Sequence, residues 1–194
     1  TGNSVTNDSV IRGEMIVDEG DPFSVLLVNK SINRLKGRNI FGKVDYKMLP
    51  GSSDDLSVLE ISVEEKSTGE VIAGAGVGTD GTSFMFSINE NNWLGTGVQV
   101  ESSLNLSKEQ IIGGIFINNP NYNFTGNAVN TGFDISSTDR SASSGFKSSK
   151  TGFNVGTSFE QYEDLFFSPE IVVTFEDVEV EDSASTAIKD MEGN

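Results

Sequence analysis

The strongest constraint on this sequence is a change in its hydrophobic period near Gly69. Before that point, apolar residues recur at helical spacing and then in two short alternating runs. After it, apolar and polar residues alternate through about seven segments, a pattern typical of strands that have one apolar face. The chain is therefore predicted to contain a mixed α+β module, residues 1–69, followed by antiparallel β-strands in residues 70–194.

The first module is predicted to contain two helices and two strands. N-cap candidates at residues 6–8 precede a short helix that ends near Gly20, and Ser24 precedes a second helix that ends near Gly37. Alternation then predicts two strands, one on each side of a turn at 50–51. The first strand contains Val44, Asp45, Tyr46, Lys47 and Met48, and the second contains Leu59, Ile61 and Val63.

Turn signals divide the second region into strands. Asp80-Gly81 is a strong two-residue hairpin signal. Pro169 cannot donate a ladder hydrogen bond, so it predicts a bulge, an offset start or no strand at that point. Longer outer loops with tighter inner turns are typical of outer-membrane barrels, and the connections here follow that trend. The other turns are predicted at 94–97, at Lys108, at 120–127, at 137–150 and at 160–164.

Composition removes several function classes. The 194 residues include no cysteine and no histidine, which excludes disulfides, thiolate or imidazole metal sites and histidine-based catalytic triads. A net charge of -16 argues against nucleic acid as a partner, because phosphate binding requires clustered Lys and Arg. We therefore expect no metal, no cofactor and no nucleic-acid partner.

Hydropathy excludes one kind of membrane segment. No run of about 18 apolar residues is present, so a membrane helix is not predicted. Membrane β-strands alternate and leave only a weak hydropathy trace, so they stay possible. Residues 1–10 have neither a basic start nor an apolar run, so the chain is expected to begin within a longer protein.

The alternation by itself leaves two architectures open. A soluble β-sandwich with solvated acidic faces has the same pattern as the wall of an outer-membrane barrel. Trp93 fits either the headgroup level of a membrane, where an indole keeps its N–H in water, or the core of an ordinary hairpin. Gly95 and Gly97 allow the positive φ values of a tight turn in both cases.

A resemblance to the BamA family of outer-membrane β-barrel assembly proteins rests on the turn sequence Asn91-Asn92-Trp93-Leu94-Gly95-Thr96-Gly97 and on residues 64–69 before it. This is where the family's last POTRA module meets its first barrel hairpin. Other parts of that module resemble residues 1–6, 10–15, 19–20, 34–36 and 41–44. The resemblance implies that residues 1–69 are a POTRA module lacking its first strand. Residues 70–194 would be the N-terminal part of a transmembrane β-barrel.

Two departures from the family bear on this interpretation. The family usually has an aromatic residue directly after the proline that corresponds to Pro120, whereas Asn121 and then Tyr122 follow it here, which leaves the packing of this turn open. The family's later plug motif and closing strand are absent from the sequence. About seven strands cannot close a membrane barrel of this class, so the chain is expected to be a fragment or to pair with another segment.

The resemblance also implies roles for particular residues. The first barrel strand would be a lateral gate, formed by Val71, Ile72, Ala73, Gly74, Ala75 and Gly76. Small side chains are consistent with a weak seam there, although they suit a curved barrel wall equally well. Glu19 matches a position that contacts an accessory lipoprotein through a charged pair. The alternative is that Glu19 is an ordinary solvated carboxylate in a loop. The strand at 43–49 could accept a client segment by edge addition.

Function follows from the same resemblance. It implies a non-enzymatic insertase of the Gram-negative outer membrane, with the POTRA module in the periplasm. Its expected partners are unfolded outer-membrane protein clients, accessory assembly lipoproteins and outer-membrane lipid. The alternatives are a related transporter of the same superfamily and a soluble or cell-surface β-rich adhesin. A carbohydrate-active enzyme is disfavoured, because Glu163 and Asp164 are adjacent and would point to opposite faces of an extended chain.

Overall fold

The computed structural model describes residues 1–53, 56–78, 81–162, 165–182 and 184–189. The chain divides into two compact units. The first unit consists of Thr1–Gly69, Glu90–Gln99 and Asn119–Ala128, and the second consists of 70–89, 100–118 and 129–194. Two turns between the later strands therefore belong structurally to the same unit as the first module.

Two helices lie in the first unit, α1 (Asp8–Gly13) and α2 (Val25–Gly37). The predicted cap of α2 is confirmed, since the Ser24 hydroxyl accepts a hydrogen bond from the Leu27 amide at 3.5 Å. The predicted end of α1 near Gly20 is wrong. The Ile16 amide donates to the Ser31 hydroxyl of α2 at 2.9 Å, so it is not available to continue the helix.

Two strands, β1 (Phe41–Pro50) and β2 (Ser57–Glu65), pair antiparallel in a two-stranded sheet. The two alternating sets predicted from the sequence face each other, since the register pairs Val44 with Val63, Tyr46 with Ile61 and Met48 with Leu59. Thr1 lies along the other edge of β2: its amino group donates to the Ile61 carbonyl at 2.6 Å, and its carbonyl accepts from the Val63 amide at 2.9 Å. Thr1 thus bonds to the residue before Ser62 and to the residue after it, which is the hydrogen-bond pattern of parallel strands.

Among the described residues, the buried hydrophobic core lies within this first module. Helix α2 contributes one apolar face, and β1 and β2 contribute the residues that alternate toward it. Leu35 and Val28 are fully buried. The buried apolar residues are Val10, Ile11, Val28, Ile32, Leu35, Ile40, Phe41, Val44 and Val63.

The remaining strands form one eight-stranded sheet within the described residues. They are β3 (Gly69–Gly78), β4 (Gly81–Trp93), β5 (Val98–Ser107), β6 (Gln110–Asn119), β7 (Ala128–Asp139), β8 (Phe146–Tyr162), β9 (Leu165–Phe167) and β10 (Glu170–Val180). The order is β10-β8-β7-β6-β5-β4-β3, with β9 paired to the end of β8. Short helices α3 (Ser141–Ser144) and α4 (Thr186–Lys189) and a 3-10 turn at Tyr122–Phe124 complete the described chain.

Strands β8 to β10 differ from two predictions. The predicted loop at 137–150 is mostly strand, because the polar residues 146–150 pair with residues 176–180 of β10. The final predicted strand is interrupted at Ser168 and Pro169, as the missing proline N–H suggested. The ladder resumes there, since the Pro169 carbonyl accepts from the Thr157 amide at 3.1 Å. The hairpin signal at Asp80 and the carboxylates Glu163 and Asp164 lie outside the described residues.

A mixed α+β module followed by antiparallel β-strands is therefore the fold of the chain, as predicted. Among the described helices, none combines the length and the apolar character that crossing a membrane requires.

Candidate functional site

Strand β3 is the outermost strand of the sheet on one side. The six residues at 71–76 that the sequence assigned to a lateral gate all lie in it, and all are exposed. On one face, Gly74 lies beside Met85 and Gly76 beside the Ser83 hydroxyl, so the pleat separates these glycines from Ala73 on the other face. In the described chain no other strand covers the outer edge of β3, so its backbone N–H and C=O groups can pair with an added strand.

Around β8 and β10, the sheet has one apolar face and one mostly polar face. The register of β8 and β10 places Val173 opposite Phe153 on one face, and places Thr174 opposite Gly152 on the other. The apolar side chains are substantially exposed, and Phe175 has 70% of its surface accessible. Side chains of the apolar face include Phe133, Ile135, Phe153, Val155, Ile171, Val173 and Phe175. A contiguous exposed apolar face of this size marks a surface that contacts lipid or another protein.

The turn motif predicted from the sequence packs within the first unit. The Asn92 side chain is buried and holds the turn closed, because its Oδ1 accepts from the Gly97 amide at 2.7 Å. Its Nδ2 donates to the Thr6 hydroxyl at 2.9 Å, just before α1. Gly95 and Gly97 have positive φ, as expected, and a Cβ at Gly95 would collide with the Val5 carbonyl oxygen. Trp93 itself is half exposed.

A buried ion pair lies beside this turn. The Arg38 guanidinium donates through Nη2 to the Gly97 carbonyl at 2.7 Å, and its Nε lies 3.5 Å from Oε1 of Glu14. Both side chains are only 10% exposed. Burial lowers the pKa of Arg38, and the Glu14 carboxylate opposes that shift. A buried pair of this kind fixes geometry, because removal of either partner leaves an uncompensated charge.

The carboxylate of Glu65, at the end of β2, binds three consecutive backbone amides. Ser4, Val5 and Thr6 donate their N–H groups to it at 2.8, 3.0 and 2.6 Å, and the Ser4 hydroxyl donates at 2.7 Å. Burial raises the pKa of Glu65, but hydrogen bonds from Thr6 and Ser4 outweigh it and lower the pKa to about 2. The segment that enters α1 is thus attached to the sheet by an ionised side chain.

A groove with a volume of about 950 Å³ lies between the loop that follows α1 and the ends of β1 and β2. Phe23, Leu56 and Val58 give it exposed apolar surface, and Asp18 and Glu60 give it acidic surface. Such a groove suits an extended segment with apolar side chains better than a small ligand.

Glu19 lies on the rim of this groove and is almost fully exposed. Its Oε1 accepts from Nη1 of Arg12 at 3.1 Å, and Nε of Arg12 also binds Asp8 at 2.9 Å. Hydrogen bonds from Arg12 to Asp8 and to Glu19 raise the pKa of Arg12. The carboxylate that the sequence assigned to a partner contact is therefore already paired within the chain, in a position where a second cation can reach it.

The candidate client strand 44–48 lies in β1, which pairs with β2 along one edge. Its outward side chains are charged, and Lys43 forms an exposed ion pair with Asp45 at 2.8 Å. The hydrogen bond to Asp45 raises the pKa of Lys43, and the bond from Lys43 lowers that of Asp45. Charges on an exposed edge strand oppose indiscriminate pairing.

Sequence reasoning missed four residues that hold these sites together: Glu14, Arg38, Glu65 and Asn121. Glu65 binds residues 59 or more positions away. Arg38 binds Gly97, 59 positions away, as well as Glu14, and Asn121 binds Glu14 from 107 positions away. Hydrophobic periodicity carries no information on such contacts. One signal was visible, because the pattern of Asn, an aromatic residue, any two residues, Thr and Gly occurs at both 92–97 and 121–126.

Comparison with known proteins gives two family matches that together span most of the chain. Residues 1–66 match the model described as surface antigen variable number repeat, or POTRA. Residues 92–192, more than half of the chain, match the model described as Omp85 superfamily domain.

Several curated relatives share the name outer membrane protein assembly factor BamA. The one from Neisseria meningitidis is 29% identical over 157 residues, covering 78% of this chain and 19% of the relative. The one from Nitratidesulfovibrio vulgaris is 32% identical over 100 residues, covering 50% of this chain and 12% of the relative. The chain thus spans less than a fifth of the length of these two relatives.

Solved structures show the same fold. BamA from Haemophilus ducreyi lacking POTRA domains 1–3 superposes with a TM-score of 0.74 at 23% identity, covering 92% of this chain and 34% of that structure. CdiB from Acinetobacter baumannii superposes with a TM-score of 0.60 at 11% identity, covering 91% of this chain and 37% of that structure. By its family matches, the chain belongs to the Omp85 superfamily.

Proposed function

We propose that this chain is part of a factor that assembles and inserts β-barrel proteins into the bacterial outer membrane. In this proposal residues 1–69 are its last periplasmic POTRA module and residues 70–194 the N-terminal part of its barrel. The observation that carries the proposal is a sheet with one exposed apolar face and, at its side, the uncovered strand β3. The names of the relatives support assembly rather than enzymatic catalysis.

Strand β3 acts as the lateral gate in this proposal. A client strand pairs with its outer backbone edge and so enters the sheet without losing its hydrogen bonds in lipid. Ala73, Gly74, Ala75 and Gly76 offer little cross-strand packing, so pairing along this edge is weak and reversible. A client can therefore be released after its own strands have paired.

Cysteine crosslinking tests the gate. The sequence has no cysteine, so Ala73→Cys and Ala75→Cys each place a single thiol on the apolar face of β3. Each cysteine is introduced into the natural protein in its membrane. There it should form a disulfide with cysteines placed along a strand of a folding client. The bond should form only while the client is being assembled.

Ser102→Cys is the matched control, because β5 is covered by strands on both sides. It should form no crosslink with the same client. If Ala73→Cys and Ala75→Cys gave no more crosslink than Ser102→Cys, β3 would not be the gate.

The POTRA module supplies two further surfaces in this proposal. Strand β1 accepts an extended client segment along its edge, through residues 44–48, and Glu19 contacts a basic group of an accessory lipoprotein. Glu19→Lys should weaken co-purification of that lipoprotein, because a lysine beside Arg12 repels a cation. Asp18→Lys is the matched control, because it makes the same charge change one residue away from Glu19. Equal co-purification of the lipoprotein with Glu19→Lys and with the parent would remove Glu19 from the contact.

A transporter of the same superfamily, the alternative that the resemblance leaves open, is the second candidate. The crosslinking experiment separates the two, because a transporter conducts its passenger across the membrane and gives no strand-specific crosslink to β3.

A further inference from the structure

The two turns that belong to the first unit share one sequence pattern. The first reads Asn92-Trp93-Leu94-Gly95-Thr96-Gly97, and the second reads Asn121-Tyr122-Asn123-Phe124-Thr125-Gly126. The first begins with the last two residues of β4 and the second follows β6. Both consist of Asn, an aromatic residue, two variable residues, Thr and Gly.

The two turns also share one conformation. Positive φ occurs at the third, fourth and sixth positions of each: Leu94, Gly95 and Gly97 in the first, and Asn123, Phe124 and Gly126 in the second. In each turn the threonine hydroxyl donates to the carbonyl of the aromatic residue, at 2.6 Å for Thr96 and 2.8 Å for Thr125. The pattern therefore specifies the backbone and is not a chance similarity of letters.

The asparagine has the same double use in each turn. Its Oδ1 closes the turn by accepting from the last glycine, as Asn92 does from Gly97, and Asn121 from Gly126 at 2.8 Å. Its Nδ2 points out of the turn as a donor. Both asparagines are buried, at 6% and 9% exposure.

The two outward donors bind opposite ends of the same helix. Asn92 donates to Thr6, before the start of α1, while Asn121 donates to the Gly13 carbonyl at 2.8 Å and to Oε1 of Glu14 at 3.3 Å, at its end. The Gly95 carbonyl adds a bond from the Asn7 amide at 2.8 Å. A helix of six residues has too few internal hydrogen bonds to be stable by itself.

Steric fit is complementary at the two contacts. At the first, the turn supplies the glycine, since Gly95 lies against the backbone of Val5. At the second, the helix supplies it, since Gly13 lies against the ring of Phe124. Both turns, α1 and Arg38 also line one cavity of about 170 Å³.

We propose that these two turns form an asparagine clasp, in which the side-chain amides of Asn92 and Asn121 hold the two ends of α1. Helix α1 forms one wall of the groove, through Ile11 and Arg12. The clasp therefore sets the position of that wall, and Asn92 and Asn121 are positioning residues.

Residue-resolved amide hydrogen exchange on the full chain in detergent tests the clasp. Asn92→Ala should raise exchange of the Asn7 and Gly97 amides by about tenfold, which corresponds to about 1.4 kcal/mol. It should leave unchanged the exchange of the Gly126 amide and of the Met15 amide, which donates to the Arg12 carbonyl at 3.0 Å at the end of α1. Asn121→Ala should have the reverse effect, raising exchange at Met15 and Gly126 only.

Asn127→Ala is the matched control in the second turn, because Asn127 is exposed. It should change the exchange of none of these four amides.

Asparagine-to-aspartate variants separate the two uses of the amide, because aspartate keeps the acceptor and loses the donor. Asn121→Asp should leave Gly126 protected but release Met15, since the Gly13 carbonyl and the Glu14 carboxylate can only accept. Asn92→Asp should have a smaller effect, since the Thr6 hydroxyl can turn to donate. Adding Glu14→Gln to Asn121→Asp should restore part of the protection at Met15.

Two results would overturn the clasp. One is an equal rise of exchange throughout α2 in the single variants, which would make the asparagines general stability residues. The other is parental exchange at Met15 in Asn121→Asp, which would show that the donor does not hold the helix. If the alanine variants fail to fold, the aspartate variants alone decide the question.

Discussion

The two units of this chain differ in where their apolar side chains lie. In the unit that contains α1 and α2, nine apolar residues are buried in one core. In the described part of the other unit, every large apolar side chain is at least partly exposed, and the buried residues are all glycines. Those glycines are Gly113, Gly132, Gly145, Gly152 and Gly156.

This difference separates two ways of using the same apolar residue types. The first unit removes them from water by folding on itself, which is the ordinary source of stability in water. The sheet instead presents them outward along a face one side chain deep, and such a face requires lipid or a second apolar layer. A substitution should therefore have different consequences in the two units, even when the residue type is the same.

The largest expected effect is in the core. Leu35 is 0% exposed, so Leu35→Ala should lower the free energy of unfolding of the first unit by about 2–5 kcal/mol. The single tryptophan, Trp93, lies in this unit, so its fluorescence can follow urea unfolding in detergent. Leu104→Ala is the matched control, because Leu104 is 38% exposed, and should shift the same transition by less than about 1 kcal/mol. Equal losses would contradict the division into two units.

A second prediction sharpens the assignment of the sheet faces. Val173 and Thr174 are neighbours on β10 and point to opposite faces. Val173→Lys should reduce incorporation of the chain into phosphatidylcholine vesicles by about 2–4 kcal/mol, because it places a charge on the lipid face. Thr174→Lys should have little effect, since it lies opposite Gly152, where Asp134 is close by.

Vesicle flotation measures both variants. Equal flotation of Val173→Lys and Thr174→Lys would show that neither face has a preference for lipid, and the sheet would then need a protein partner.

Short-range signals predicted much of the fold. Ser24 and the apolar stripe that follows it were sufficient to place α2. Alternation correctly predicted which residues of β1 and β2 share one face of their sheet. The errors occurred where a distant residue decides the local structure. Helix α1 stops early because Ser31 takes the Ile16 amide, and residues 146–150 are extended because β10 pairs with them.

The candidate sites were predictable to a different degree. Alternation identified β3 as a strand, but its place at the side of the sheet depends on the order of all the strands. The turn at 92–97 was identified from its residues, whereas the partners of Asn92 and Asn121 were not, because they lie in a module far away in sequence. A search for the repeated turn pattern would have found the second turn without a structure.

The smallest expected effect concerns the polar attachments of the first unit. Glu65→Gln keeps the shape of the side chain but presents an amide donor to backbone donors of residues 4–6. At neutral pH it should lower the free energy of unfolding by about 1–2 kcal/mol, the range for a partly exposed hydrogen bond to a charged group. Urea unfolding followed by Trp93 fluorescence measures the loss.

The pH dependence of that loss identifies the carboxylate as its cause. The folded state lowers the pKa of Glu65 from its ordinary value of 4.5 to about 2, so the ionised carboxylate contributes its full stability above pH 4.5, and that contribution disappears as the pH falls toward 2. The parent chain and Glu65→Gln should therefore converge over this interval. Glu64→Gln, at the exposed neighbouring position, should keep the pH dependence of the parent. A constant difference between the parent and Glu65→Gln from pH 7 to pH 2 would mean that the shape of the side chain, rather than its charge, holds residues 4–6 in place.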